Sequence, residues 1–318
     1  MAAPAAPATF VWTMRMDASR IDGQRAMTTT TTETLDRPGT GQTQWFASWF
    51  DSHYYHKLYA HRNDTEAAGF IDALIDRLQP DEDAGVLDLG CGAGRHAKYL
   101  ASKGFCVTGI DLAAASIREA KRWERPGLRF ARHDMRVPFG RNAFDYVFNM
   151  FTSFGYFDEP AEHLGVVRNI AAALKPGGRL VLDYLNVSYA ESRLTPEESR
   201  TIDGVTYRVT RWTDDGHFFK RIAIEDARAA QRLEHVERVA KFTRRDFERM
   251  FARHDLAIEA VYGDYRLNPY NDRTSPRLIL VARKPESAWE STRPTRLTNR
   301  QDGLFAREVL ADAAESLR

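Results

Sequence analysis

The stretch that most limits how this chain can fold is Val86–His96. Its apolar start breaks into glycines at alternate positions, Gly90, Gly92 and Gly94, and a helical pattern follows from Arg95. This order predicts a buried strand, a tight turn and a helix N-terminus. Glycine suits such a turn because it lacks Cβ, adopts positive φ and lets a ligand approach the backbone. The helix start adds free N–H groups and a partial positive charge, so a ligand site is expected here.

Two classes of nucleotide-type ligand could use this turn. A dinucleotide site has the spacing Gly-x-Gly-x-x-Gly, whereas Arg95 stands here in place of the last glycine. Asp88 precedes the turn, and a carboxylate there repels a pyrophosphate but suits a cationic ligand. The segment Leu87–Gly94 resembles the first motif of the class I S-adenosylmethionine (SAM)-dependent methyltransferases. Their cofactor carries a sulfonium and an ammonium and no phosphate, so the resemblance implies SAM.

Strand and helix patterns alternate after the turn. Strands are predicted over 86–89, 105–110, 128–132, 144–150 and 179–183, and helices over 95–103, 113–123 and 162–174. The Leu-Lys-Pro-Gly-Gly segment at 174–178 is a second hallmark of the family. The resemblance implies a Rossmann-like three-layer αβα fold. Its seven-stranded sheet is mostly parallel with an antiparallel last strand, and strands over 256–262 and 277–282 close it.

Two acidic residues follow predicted strands at the edge where open parallel sheets bind ligands. Asp111 suits the ribose hydroxyls, and it also suits the N-cap of the next helix. The resemblance places Asp134 on the adenine amino group, with the backbone and side chain of Met135 beside it; a turn role for Asp134 is the alternative. The family pattern assigns the cofactor contacts to Tyr55, Tyr59, Asp88, Gly90, Cys91, Gly92, Gly94, Arg95, Asp111, Leu112, Asp134, Met135, Asn149 and Met150.

Aromatic residues crowd the segment 44–61, where Trp45 and Trp49 form an i,i+4 pair. This spacing predicts one helix over 44–61, and the amphipathic pattern over 66–78 predicts a second helix. The aromatic residues suit either a core-facing stripe or a lid over the ligand, with Tyr55, Tyr59 and Arg62 at its edge.

Five segments are expected along the chain. These are a disordered N-terminal extension over 1–42, a cofactor-binding core with its lid helix over 43–187, an antiparallel β cap over 188–242, the rest of the core sheet over 243–284 and a polar tail over 285–318. Asp214–Gly216 predicts a hairpin turn between two of three cap strands. Thr243 is a plausible N-cap for the helix that follows the cap.

The methyl acceptor is less defined by the sequence. The Asn/Asp-Pro-Pro-Tyr/Phe motif of nucleobase and glutamine methyltransferases is absent after the fourth strand, and neither cysteine lies at that edge. Acceptor-side candidates are Asn149, Ser153, Tyr156, Tyr184, Asn186 and Tyr265, with Tyr207, Arg211, Trp212, His217, His235 and Arg266 from the cap and a late loop. An antiparallel cap favours an enclosed pocket for a small molecule.

Composition narrows the remaining functions. A net charge of +1 gives no general argument for nucleic acid or a membrane surface, and two cysteines form neither a disulfide framework nor a metal motif. We expect a cytoplasmic monomer or homodimer that transfers a methyl group to N or O of a small molecule, with no metal and no membrane segment. An RNA or protein methyltransferase remains an alternative, since the arginine-rich stretch 228–253 suits either a solvated face or an RNA-binding face. A regulatory protein that binds SAM without transfer is a further alternative.

Overall fold

The computed structural model describes residues 45–59, 64–229 and 231–286. The expected disordered extension over 1–42, Arg62 and nearly all of the expected tail over 285–318 lie outside these residues. The helices are α1 Trp45–Phe50, α2 His53–Leu58, α3 Asp64–Leu78, α4 Arg95–Ser102, α5 Ala114–Ala120, α6 Pro160–Ala173, α7 Val187–Ser192 and α8 Arg244–Ala252. The strands are β1 Gly85–Leu89, β2 Cys106–Asp111, β3 Leu128–Arg132, β4 Phe144–Asn149, β5 Leu174–Leu185, β6 Glu197–Ile202, β7 Val205–Thr213, β8 His217–Asp226, β9 Gln231–Ala240, β10 Ala257–Tyr262 and β11 Arg277–Arg283.

The larger sheet has seven strands in the order β10-β11-β5-β4-β1-β2-β3. Strands β1 to β5 pair in parallel, and β11 runs antiparallel to both of its neighbours. Val147 and Phe148 of β4 are both buried, as expected for a central strand covered on both faces. The prediction of a mostly parallel seven-stranded sheet with an antiparallel last strand is confirmed.

The smaller sheet is antiparallel, in the order β6-β7-β8-β9, and we call it the cap sheet. The sequence predicts three of its strands. The fourth, β6, reads Glu-Glu-Ser-Arg-Thr-Ile and is an edge strand, so it lacks the apolar alternation that reveals the others. The predicted hairpin turn is present between β7 and β8, where the Gly216 N–H donates to Asp214 Oδ1 over 2.8 Å.

The aromatic N-terminal segment is two short helices, so the single helix predicted over 44–61 is wrong. The first helix ends at Phe50, and Ser52 caps the second, because the Tyr54 N–H donates to Ser52 Oγ over 3.2 Å. Trp49 is fully buried and donates through Nε1 to Glu237 Oε1 over 2.7 Å. Because Glu237 lies on β9, this hydrogen bond joins the aromatic N-terminal segment to the cap sheet.

The helix ends elsewhere follow local capping signals. Thr243 caps α8 as predicted, in a capping box with Asp246. Helix α6 ends at Ala173, one residue before the predicted end, and the Leu-Lys-Pro-Gly-Gly segment at 174–178 already belongs to β5. Among the described helices, none is both long and apolar enough to cross a bilayer.

Candidate active site

A cavity of about 880 Å³ opens at the carboxyl ends of β1, β2 and β4 and extends to one face of the cap sheet. Its wall includes the glycine turn, the segment after β3, the segment after β4, the two N-terminal helices and the cap sheet. This is the edge at which open parallel sheets bind ligands. The predicted residues that line it are Tyr55, Tyr59, Gly90, Cys91, Gly92, Arg95, Asp111, Leu112, Asp134, Met135, Met150, Ser153, Tyr156, Tyr207 and Arg211.

The turn after β1 requires glycine for two reasons. Gly90, Gly92 and Gly94 have φ values of 77°, 54° and 79°, in the left-handed region. A Cβ on Gly90 would lie 2.7 Å from Ser153 Cβ, and one on Gly94 would lie 2.5 Å from the Phe130 ring. Nothing lies within 4 Å of such an atom on Gly92. Gly92 therefore faces open space in the cavity wall, whereas Gly94 packs behind it.

Asp111 joins the glycine turn to the start of α5. Its Oδ2 accepts the Gly92 N–H and its Oδ1 accepts the Ala113 N–H, each over 2.8 Å. The carboxylate still lines the cavity, and each oxygen has a further lone pair. Burial raises the pKa of this carboxyl above its ordinary value. The geometry is compatible with both sequence expectations, a ribose contact and support of the helix start.

Asp88 lies behind the turn, although the family pattern places it among the cofactor contacts. Its side chain is 1% exposed, and its Oδ2 accepts the Ala97 N–H at the start of α4 over 3.1 Å. Gly94, the N-cap residue, has no side chain to accept this donor, so Asp88 supplies the cap from β1. Burial raises the pKa of the Asp88 carboxyl to about 7.

This shifted pKa predicts how stability changes with pH. In the folded chain Asp88 keeps its proton up to about pH 7, whereas an aspartate in the unfolded chain has a pKa of about 3.9 and releases its proton near that pH. The unfolding free energy should therefore fall between these pH values, by at most roughly 4 kcal/mol, and level off above them. The unfolding free energy of the Asp88→Asn variant should fall less over the same range. Urea denaturation of both proteins without SAM, at pH 5 and pH 8, measures the difference. An equal fall of the unfolding free energy in both proteins would contradict the assignment to Asp88. Asp76→Asn is the control, because Asp76 lies on the exposed surface of α3.

The wall after β3 is held by a network of ion pairs. Arg136 pairs with Asp134 Oδ2 over 2.5 Å and with Glu162 over 2.7 Å. Burial raises the pKa of Asp134, but the hydrogen bonds from Arg136 outweigh it and hold that pKa below the ordinary value. Asp134 is thus an oriented carboxylate in the cavity wall, with Met135 beside it.

The segment after β4 carries two residues in a strained conformation. Phe151 and Thr152 have φ values of 57° and 59°, which cost non-glycine residues roughly 1–3 kcal/mol each. Both line the cavity, followed by Ser153 and Tyr156. The Tyr156 ring packs on Phe50, with centroids 5.2 Å apart. The N-terminal helices and the β4 edge therefore meet at an aromatic wall.

Several predicted acceptor residues lie away from the cavity and serve the interior. Asn149 donates to the Leu89 carbonyl over 2.8 Å, Tyr184 donates to the Ala240 carbonyl over 2.6 Å, and Tyr265 donates to Asp183 over 3.2 Å. Asn149 and Tyr184 stand near strand ends and Tyr265 in the late loop, as expected, but these donor groups point inward. Asn186, Trp212, His217, His235 and Arg266 also lie outside the cavity wall.

The cap sheet adds two charged residues, Lys220 and Glu237, that were not among the predicted site residues. Arg211, Lys220 and Glu237 are register neighbours across β7, β8 and β9, and all three line the cavity. Lys220 Nζ lies 3.4 Å from Glu237 Oε2, and the two side chains are 9% and 10% exposed. Arg211 pairs with Glu198 over 2.8 Å. The sequence does contain a signal that could have identified Lys220. It lies on the same face of β8 as Phe218, Ile222 and Ile224, so it is a lysine within a row of buried apolar residues.

Comparison with known proteins bears on the chemistry. A methyltransferase-domain family model matches residues 86–178. The chain is 29% identical over 206 residues to dTDP-3-amino-3,6-dideoxy-alpha-D-glucopyranose N,N-dimethyltransferase of Streptomyces fradiae, covering 62% of this chain and 78% of that relative. It is also 29% identical over 227 residues to cypemycin N-terminal methyltransferase of Streptomyces sp, covering 68% and 90%.

Solved structures share the fold. A SAM-dependent methyltransferase from Clostridium acetobutylicum aligns with a TM-score of 0.62 at 20% identity, covering 73% of this chain and 97% of that one. An amino pentose methyltransferase from Micromonospora echinaspora, solved with SAM bound, aligns with a TM-score of 0.56 at 25% identity, covering 73% and 97%. The methyltransferase-domain match and the neighbour solved with SAM bound, together with the glycine turn at the sheet edge, identify the cofactor as SAM. The domain match, the relatives and the fold therefore indicate a class I, Rossmann-like SAM-dependent methyltransferase.

Proposed function

We propose that this enzyme transfers the methyl group of SAM to the nitrogen of a small, polar amine such as an amino sugar. The observation that carries the proposal is the cavity, which runs from the glycine turn to the buried charges of the cap sheet. A cavity of about 880 Å³ covered by a cap suits a small molecule beside the cofactor. The Streptomyces fradiae and Micromonospora echinaspora proteins, named for amino sugar and amino pentose methylation, support the same class.

The residues of the cavity divide into a cofactor half and an acceptor half. Gly92 lies in the turn and Arg95 is the first residue of α4, and both suit the amino-acid part of SAM. Asp111 ends β2 and suits the ribose, whereas Asp134 with Met135 after β3 suits the adenine. SAM supplies a methyl group that is already activated on its sulfonium. The protein's task is then to position the acceptor and exclude water, and positioning alone contributes on the order of 7–11 kcal/mol at best.

An aromatic wall separates the two halves. Phe50 contacts Tyr55 and Tyr156, with ring centroids 5.0 Å and 5.2 Å apart, and all three line the cavity. Aromatic faces attract cationic groups and exclude water, so the wall favours a sulfonium and a developing ammonium. Ser153 and Tyr156 follow the β4 edge and are the residues that we propose to orient the attacking nitrogen.

The charged row of the cap sheet selects a polar acceptor. Arg211, Lys220 and Glu237 place charged groups on one wall, and an apolar molecule would displace water from them without replacing its hydrogen bonds. A neutral amine is nucleophilic without a strong base, which agrees with the absence of the Asn-Pro-Pro-Tyr motif. A peptide N-terminus is a second candidate, because the relative named for N-terminal methylation is covered over 90% of its length.

The test is transfer of a labelled methyl group from SAM to matched acceptors. The panel contains nucleotide-linked amino sugars, the same sugars with hydroxyl in place of the amine, glycine, a short peptide and RNA. Label should enter the amino sugars, with the added methyl on nitrogen by mass spectrometry, at a rate at least tenfold above their hydroxyl partners. Equal transfer to the hydroxyl sugars, or transfer to RNA alone, would overturn the proposal. Transfer to the peptide alone would favour the second candidate.

A further inference from the structure

A buried ion pair lies beneath the segment that follows β4. Arg277 Nε donates to Asp183 Oδ1 over 2.7 Å, and the side chains of these residues are 3% and 0% exposed. Asp183 is on β5 and Arg277 begins β11, so the pair joins neighbouring antiparallel strands. Both side chains lie outside the cavity wall, and the proposed chemistry uses neither.

Both members of this pair also bond to the strained residues of the turn. Asp183 Oδ2 accepts the Phe151 N–H over 2.8 Å, and the Asp183 carbonyl accepts the Thr152 N–H over 2.9 Å. Arg277 Nη2 donates to Thr152 Oγ1 over 2.9 Å. Two successive non-glycine residues rarely adopt the left-handed conformation unless their surroundings enforce it. The ion pair supplies that enforcement here.

The Phe151–Thr152 turn also contacts the start of α4. The Arg95 guanidinium lies over the Phe151 ring, 4.7 Å from its centroid, and the His96 ring lies 5.0 Å from the same ring. Arg95 is the first residue of α4, directly after the glycine turn, and it lines the cavity. An arginine stacked on an aromatic face keeps its fork of N–H donors in a fixed plane. The orientation of Arg95 therefore depends on where Phe151 is held.

We propose that Asp183 and Arg277 are positioning residues for SAM, which hold the Phe151–Thr152 turn so that Phe151 orients Arg95 toward the amino-acid end of the cofactor. That end of SAM carries a carboxylate, which suits both a guanidinium and the N–H groups of a helix start. The role does not depend on which acceptor is methylated. It assigns a binding function to a pair 94 residues apart in sequence.

The test compares two ligands that differ at this end. SAM carries the amino-acid group, whereas 5′-methylthioadenosine keeps the adenosine and the sulfur but lacks it. Arg277→Met should weaken SAM binding about tenfold, the equivalent of one charge-assisted hydrogen bond. Binding of 5′-methylthioadenosine should stay within twofold, and calorimetry measures both. Arg179→Met is the matched control, because Arg179 pairs with Glu259 over 2.8 Å in the same sheet, away from the cavity.

Two further variants separate positioning from simple stability. Glycine adopts positive φ without strain, so adding Thr152→Gly to Arg277→Met should recover SAM affinity to within threefold of the parent. Equal weakening of both ligands, or a folded double variant without recovery, would overturn the proposal. If Arg277→Met does not fold, Thr152→Val decides: it keeps the ion pair, removes the hydroxyl and should still lower SAM affinity selectively. Thr152→Ser keeps the hydroxyl and should bind SAM like the parent. Equal SAM affinity of the parent, Thr152→Val and Thr152→Ser would reject the positioning role of the ion pair.

Discussion

Replacing Asp111 with alanine is expected to weaken SAM binding at least about a hundredfold. The two charge-assisted hydrogen bonds to the ribose that we propose for Asp111, at roughly 1.5–3 kcal/mol each, would account for this loss. The structure adds a second cause, since the same carboxylate accepts the Gly92 and Ala113 N–H groups. Alanine would leave both donors without these acceptors and loosen the turn that faces the cofactor. The effect should therefore exceed that of removing a ribose contact alone.

Calorimetric titration of SAM into the folded variant measures this loss. Asp76→Ala is the control, because Asp76 is an exposed carboxylate on α3 outside the cavity wall. Its affinity for SAM should match the parent's. An Asp111→Ala variant that unfolds like the parent yet binds SAM with unchanged affinity would contradict the assignment of this edge as the cofactor site.

The glycine turn was predictable because its information is local. Gly90, Gly92 and Gly94 sit between an apolar run and a helical pattern, and the positive φ values follow from those few residues. Local patterns also predicted the strands before and after the turn, whereas the seven-stranded, mostly parallel sheet was implied by the family resemblance. The sequence spacing also placed Asp111 and Asp134 at the edge where the structure has them.

The acceptor side was less predictable because it depends on which way a side chain points and what it meets. Asn149 and Tyr184 stand near strand ends, but their bonds to the Leu89 and Ala240 carbonyls turn them inward. The row of charges on the cap sheet exists because β7, β8 and β9 pair in one register, which no single strand reveals. The break at Ser52 was a local signal, masked by the i,i+4 spacing of the aromatic residues.

The second large effect concerns the buried pair of Lys220 and Glu237. Lys220→Met should lower the unfolding free energy by about 3–5 kcal/mol, because it leaves the Glu237 carboxylate buried without its cation. Trp49 and Tyr59 still donate to that carboxylate, so the loss is that of a charge partner. The double variant Lys220→Met/Glu237→Gln should recover most of the stability, since neither residue then carries a charge. Urea denaturation of the parent, the two single variants and the double variant completes the cycle.

Activity of the stable double variant then tests whether the row binds the acceptor. With a nucleotide-linked amino sugar, its kcat/KM should fall about a hundredfold, the cost of roughly 3 kcal/mol of lost polar contacts, while SAM affinity stays unchanged. Arg208→Met/Glu225→Gln is the matched control, because that pair bridges β7 and β8 over 3.1 Å outside the cavity wall. If the Lys220→Met/Glu237→Gln double variant methylates the amino sugar as the control does, Lys220 and Glu237 supply no acceptor contacts. In that case the specificity must come from Arg211 or from the β4 edge and the aromatic wall, where Ser153 and Tyr156 would be the next residues to replace.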